Sequence, residues 1–122
     1  MLQPRSIVSI ADNTGAKIGR VFKVPGSSKK RYAEIGEVVI ISIQKAEPRK
    51  TVKKKDIHRA VVVRQKKAFR RKDGSYVRFD ENAVVLIDKT KGEPIGGRVF
   101  GPIPRELSEK YQKIVSLASE VV

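Results

Sequence analysis

The chain has 122 residues, one domain's worth, with 39% hydrophobic and 33% charged side chains, enough for one modest core. It carries 27 Lys plus Arg against 13 Asp plus Glu, a formal net charge of +14, and such a surplus on a small domain points to a polyanionic partner. There is no Cys and one His, His58, which excludes a disulfide frame, a thiolate nucleophile, Cys-ligated zinc and a His-rich metal site.

Short β-rich runs follow one another along the chain. Ile7–Ile10 is succeeded by the turn cluster Asp12-Asn13-Thr14-Gly15, and Val21–Val24 by Pro25-Gly26-Ser27-Ser28. Val38–Ile43 leads into a basic segment broken by Pro48, and Ala60–Val63 and Ala83–Ile87 flank Asp73-Gly74. Five or six short strands rich in β-branched residues predict a small barrel or sandwich. No long helical pattern separates them, so a parallel βαβ sheet is not expected. The tail, residues 104–122, reads differently. Leu107, Tyr111, Ile114, Val115 and Ala118 share one helical face, which predicts one or two short helices packed on a barrel of residues 1–103. The whole chain reads as a single domain.

Asp-Gly is a preferred two-residue type I′ turn. On that register Lys67 faces Asp80, Lys66 faces Glu81, Val63 faces Val84 and Val62 faces Val85, each pair contributing roughly 0.2–1 kcal/mol. The sequence thus predicts a long hairpin from about Ala60 to Ile87, its inner half in the barrel and its tip, with Arg70, Arg71 and Lys72, projecting. A bulge near Phe69 would shift this register.

The charge is unevenly placed. Residues 45–78 hold 14 basic and 3 acidic side chains, whereas residues 79–122 hold 6 and 7. This reads as a basic patch facing nucleic acid and a neutral end left for protein. Three basic groups stand out: Lys29-Lys30-Arg31 beside Tyr32; Arg49-Lys50 with Lys53-Lys54-Lys55, in a loop between two strands; and Arg64, Lys66, Lys67, Arg70, Arg71 and Lys72 on the hairpin. Lys23 and Arg78 complete the candidate set. Lys suits phosphates as a point charge and Arg can also stack or bind bidentately. No helix carries these residues, so folded RNA is a better match than base-specific duplex DNA. Like charges in the Arg49–Lys55 loop repel, so the loop is expected to be mobile until bound. Of the nearby aromatics, Tyr32 and Tyr76 read first as core or hairpin packing and second as base-stacking surfaces, with Phe69 balanced between the two.

Other chemistry is poorly supported. Gly92-Glu93-Pro94-Ile95-Gly96-Gly97 lacks the Lys-Ser/Thr ending of a nucleotide loop. Asp12-Asn13-Thr14-Gly15 could approach a phosphate through its backbone but reads as a plain turn. His58 near Asp56 or Glu47 reads as structural rather than as an acid–base pair. No apolar run approaches the roughly 18 residues of a membrane helix, and Met-Leu-Gln-Pro-Arg-Ser has no apolar stretch of signal-peptide length. A soluble, non-enzymatic chain in a reducing, intracellular compartment is the expectation.

Ala60-Val61-Val62-Val63, nine residues, Asp73-Gly74, four residues, Phe79, two residues, Asn82, two residues, Val85-Leu86 resembles the signature of the universal large-subunit ribosomal protein fourteen family in its bacterial or organellar form. Ala11–Ala16, Arg31-Tyr32-Ala33, Gly92–Gly96, Arg98–Pro102, Arg105-Glu106-Leu107 and Lys113–Ala118 are similar to the family too, so the resemblance covers essentially the whole chain. It implies a mainly β fold: a five-stranded β-barrel with a projecting β-ribbon and short C-terminal helices. It implies a non-catalytic role in the cytoplasmic ribosome, binding to 23S-type rRNA, and no cofactor, membrane or small-molecule substrate. As partners it implies large-subunit proteins three and nineteen, small-subunit rRNA at an intersubunit bridge, and a ribosome-silencing factor. The silencing-factor surface would include Gly97, Arg98, Ser116 and Leu117, with Gly97 departing from the family's more usual Thr. A free-standing RNA-binding barrel with a surface aromatic platform, and a small nuclease using His58, are the competing readings.

Overall fold

A computed structural model describes residues 2–26 and 31–122. Among the described residues nine strands form: β1 (Ile7–Ile10), β2 (Ala16–Lys23), β3 (Val38–Ala46), β4 (Ile57–Arg64), β5 (Phe69–Arg70), β6 (Tyr76–Val77), β7 (Ala83–Ile87), β8 (Val99–Ile103) and β9 (Ala118–Val121). A 3₁₀ turn at Arg105–Glu109 and the helix α1 (Gln112–Leu117) lie between the last two. Strands β1-β2-β3-β4-β7 make a closed barrel. Its seam is parallel, with Ser9 opposite Ala83 and Ile10 opposite Val84, while the other barrel neighbours are antiparallel. Closure leaves the barrel no open sheet edge. The expected five-stranded barrel is therefore present.

Two apolar clusters hold the fold. One fills the barrel with Val8, Val21, Val39, Ile41, Ile43, Val62, Val84 and Leu86. The other lies between the outer face of β4 and β7 (Val61, Val63, Val85 and Ile87) and Ile103 of β8 with Leu107 and Ile114 of the tail. Both faces of β4 and β7 are thus buried, which explains their unbroken Val and Leu runs. All five apolar tail residues pack on the second cluster, as the helical spacing predicts. The tail is not helical throughout, however. Ala118–Val121 is a strand that pairs in parallel with β8, Val99 facing Ala118 and Ile103 facing Val121.

The hairpin register differs from the one the turn dipeptide suggests. Val62 faces Val84 and Val61 faces Val85, one step from the expected pairs, and at the tip Phe69 faces Val77 and Arg70 faces Tyr76. The turn has three residues, Lys72-Asp73-Gly74, closed by the Arg71 amide donating to Ser75 O at 2.8 Å. Gly74 has φ +91°, the left-handed position that ends a three-residue loop with a G1 bulge. Between Arg64 and Phe69 the ladder breaks. Glu81 does not pair with Lys66 as expected, because the buried Arg64 takes it at 3.0 Å.

Candidate nucleic-acid interface

The barrel has two ends, set by strand direction. Ala16 faces Ala46, and Arg59 faces Ile87; this gathers residues 11–15, 47–56 and 88–98 at one end. Lys23 faces Ile40 and Arg64 faces Ala83, so residues 24–26, 31–37 and 65–82 lie at the other. The basic residues are therefore not one patch. Arg49, Lys50, Lys53, Lys54 and Lys55 are exposed at the first end. Lys23, Arg31, Lys66, Lys67, Arg70, Lys72 and Arg78 are exposed at the second. The eight residues of β4 separate the two groups by roughly 25 Å at a strand's rise per residue. Lys29 and Lys30 lie outside the described residues.

The first basic group sits on an anchored loop. Val52 is 1% exposed and joins the barrel core. Its amide donates to Thr14 O, and those of Glu47 and Lys55 donate to Gly15 O and Ile43 O. Asp56 Oδ2 accepts from the Lys53 amide at 3.1 Å. These ties join the loop backbone to the barrel, while the Lys53, Lys54 and Lys55 side chains stay in solvent. Arg49 and Lys55 take positive φ values of +65° and +74°, a turn geometry uncommon for long side chains.

Two arginines of the candidate set are committed inside the protein. Arg64, with a side chain 8% exposed, bridges to Glu81; its Nη1 donates to Phe100 O at 2.8 Å and Pro102 O at 3.1 Å, binding β8 to the hairpin root. Arg71, 10% exposed, places Nε 2.9 Å from Glu106 Oε1 and donates from Nη2 to Val122 O at 2.7 Å. The tip of the hairpin is thus docked on the tail rather than projecting freely. Asp73 accepts from the amide and hydroxyl of Ser75, and those bonds hold its carboxyl below the usual range.

The cluster at residues 12–15 is a junction, not a bare turn. Asp12 accepts from Thr14 Oγ1 at 2.6 Å and from the Leu86 amide at 3.0 Å. Burial outweighs these bonds and pushes its carboxyl above the ordinary value. Asn13 Oδ1 accepts from the Gly97 and Arg98 amides at 3.0 and 3.2 Å, fixing the loop that carries both exposed residues. Lys113 of α1 reaches Glu93 at 2.6 Å, so α1, with exposed Ser116 and half-buried Leu117, is tied to the same loop. The four candidate protein-facing residues therefore occupy linked elements.

Aromatics depart from expectation. Tyr76 is 68% and Tyr32 48% exposed, whereas Phe69 is half-buried. The sequence signal was their cationic neighbours, Arg70 across the ladder from Tyr76 and Arg31 beside Tyr32. Phe100 is also exposed, with the Arg98 guanidinium 5.2 Å from its ring centre. His58 lies 3.7 Å from Asp56, and no group of three or more metal-ligating side chains occurs among the described residues. No helix among them is long and apolar enough to cross a membrane.

The chain thus combines a closed five-stranded barrel, exposed cations in the loops at both ends and a tail packed across its side. The model for ribosomal protein L14p/L23e spans residues 1–122, the entire sequence, and the chain belongs to that family.

Proposed function

We propose that this protein binds 23S-type rRNA through two separate basic surfaces, one at each end of its barrel. Membership of the family implies a structural part in the large ribosomal subunit, with rRNA and ribosomal proteins as partners, in a family that is not enzymatic. The observation that carries the finer reading is the split of exposed Arg and Lys between the Arg49–Lys55 loop and the hairpin with Lys23 and Arg31. Two sites some 25 Å apart suit a protein that holds two RNA segments in fixed relation. Each neutralised phosphate releases counterions, so affinity falls steeply with salt. Arg64 and Arg71 contribute by shaping this surface rather than by contacting RNA.

The loop and helix bearing Gly97, Arg98, Ser116 and Leu117 form the protein-facing surface in this reading. The neutral composition of the last third supports it, and the resemblance names the occupants: a ribosome-silencing factor, large-subunit proteins three and nineteen, and a bridge to small-subunit rRNA. The exposed tyrosines also suit a free RNA-binding barrel that leaves the ribosome. Sedimentation of the tagged chain from a cell lysate separates the two. Retention on large subunits at moderate salt is expected, and its absence there overturns the structural reading.

A further inference from the structure

The ribbon formed by β5 and β6 has two unlike faces. Phe69 and Val77, opposite each other, are half-buried, whereas Arg70 and Tyr76, the next pair, are exposed. Side chains alternate along a strand, so the opposed Arg70 and Tyr76 share the outer face, with Lys72 of the turn and Arg78 just past β6 flanking them. All four are exposed. At 68%, Tyr76 is more exposed than any other large apolar side chain among the described residues.

A solvated aromatic ring gains nothing from the core, yet its position is tightly set. The inward residue between Arg70 and Lys72 is Arg71, held by Glu106 and Val122 O. The turn itself is closed by Arg71 with Ser75 and by Ser75 with Asp73. The ring is thus displayed on a short ribbon tied down at its tip, beside a directly opposed guanidinium.

We infer that Tyr76 is a stacking platform for an unpaired RNA base, with Arg70 taking the adjoining phosphate. The inference rests on the rRNA-binding reading and deepens it. A base offers a π-face of matching size and its backbone supplies the anion, whereas an apolar protein partner would have to bury Arg70, Lys72 and Arg78 as well. Stacking on an aromatic is tolerant of sequence and insensitive to salt; phosphate neutralisation is neither indifferent to salt nor dependent on the ring.

The test is titration of the purified full chain against deproteinised large-subunit rRNA at several salt concentrations. Tyr76→Phe keeps the ring and binds within about threefold of the parent. Tyr76→Leu keeps apolar bulk and loses roughly 5- to 150-fold, with the slope of log affinity against log salt unchanged. Arg70→Ala lowers that slope by about one unit. Circular dichroism confirms that each variant is folded. Parent-like binding by Tyr76→Leu overturns the platform while leaving the rRNA reading intact, and is also the outcome expected if a protein covers the ring. Equal losses for Phe and Leu overturn stacking in favour of a hydroxyl contact. Failure of the parent chain to bind in a salt-dependent way overturns the rRNA reading itself.

Discussion

Arg64 is counted in the sequence among RNA-facing cations, but its surroundings assign it a folding role whose size can be worked out. Its guanidinium donates to two main-chain carbonyls, Phe100 O at 2.8 Å and Pro102 O at 3.1 Å. Hydrogen bonds with a charged partner contribute about 1.5–3 kcal/mol each. Taking the low value for both carbonyls gives about 3 kcal/mol. The Glu81 contact at 3.0 Å adds under ~1 kcal/mol, because that carboxylate is half-exposed at 49% and water recovers it. Arg64→Met keeps the stem that packs in the wall and removes the donors. The expected loss is about 3–4 kcal/mol, a large share of the roughly 5–15 kcal/mol that stabilises a domain. In thermal melts this is a fall of about 10–15 °C. Equilibrium denaturation in urea, followed by far-ultraviolet dichroism, measures it directly. Glu81→Gln is the control and loses no more than about 1 kcal/mol. A loss below about 1 kcal/mol for Arg64→Met, with an unchanged denaturant slope, would refute the reasoning.

Gly101 should behave as the other half of that contact: it has φ +78°, and a Cβ there would stand 2.6 Å from Arg64 Nη1, so Gly101→Ala destabilises by both strain and displacement in the same melts. Val52→Ala opens a cavity under the basic loop, costing about 2 kcal/mol, and amide exchange across Arg49–Lys55 quickens more than in the barrel strands; uniform quickening would show that Val52 does not anchor the loop. Replacing Lys53, Lys54 and Lys55 with Ala lowers the salt slope of rRNA binding by up to about three units without changing the fold; an unchanged slope removes this loop from the interface. Asp12, whose folded-state pKa is raised by burial, contributes stability that is full below the unfolded-state pKa and is lost as pH climbs through the raised value. A carboxyl-carbon titration by NMR should give a midpoint above 3.8, and a lower one would contradict the burial argument.

Strand positions were legible where β-branched runs met turn residues; their number allowed a small barrel or a sandwich, and only the family resemblance chose the five-stranded barrel. Register was not. Val61, Val63, Val85 and Ile87 pack outward while Val62, Val84 and Leu86 pack inward, so both faces are apolar and a one-step slip leaves the pattern unaltered. Asp73-Gly74 could not arbitrate, because a Gly in the left-handed region serves both two- and three-residue turns. The strand Ala118–Val121 was hidden for another reason. Its partner Val99–Ile103 is distant in sequence, and parallel pairing leaves no local mark. Among the candidate contacts, charge located the loops, but it could not separate Arg64 and Arg71 from their exposed neighbours. That distinction depends on groups distant in sequence, such as Phe100 O of β8 and the Glu106 carboxylate of the tail.

The clamp on Arg71 also has a temporal side. Its backbone acceptor lies 51 positions further along the chain, whereas the ribbon's own pairing spans only a few residues. Local hairpins form within microseconds, and contacts across long loops form later. During synthesis the ribbon can therefore zip before anything exists to orient it. The ribbon gains its final aim only when the tail has folded back, so a half-made chain would lack the surface proposed above for RNA.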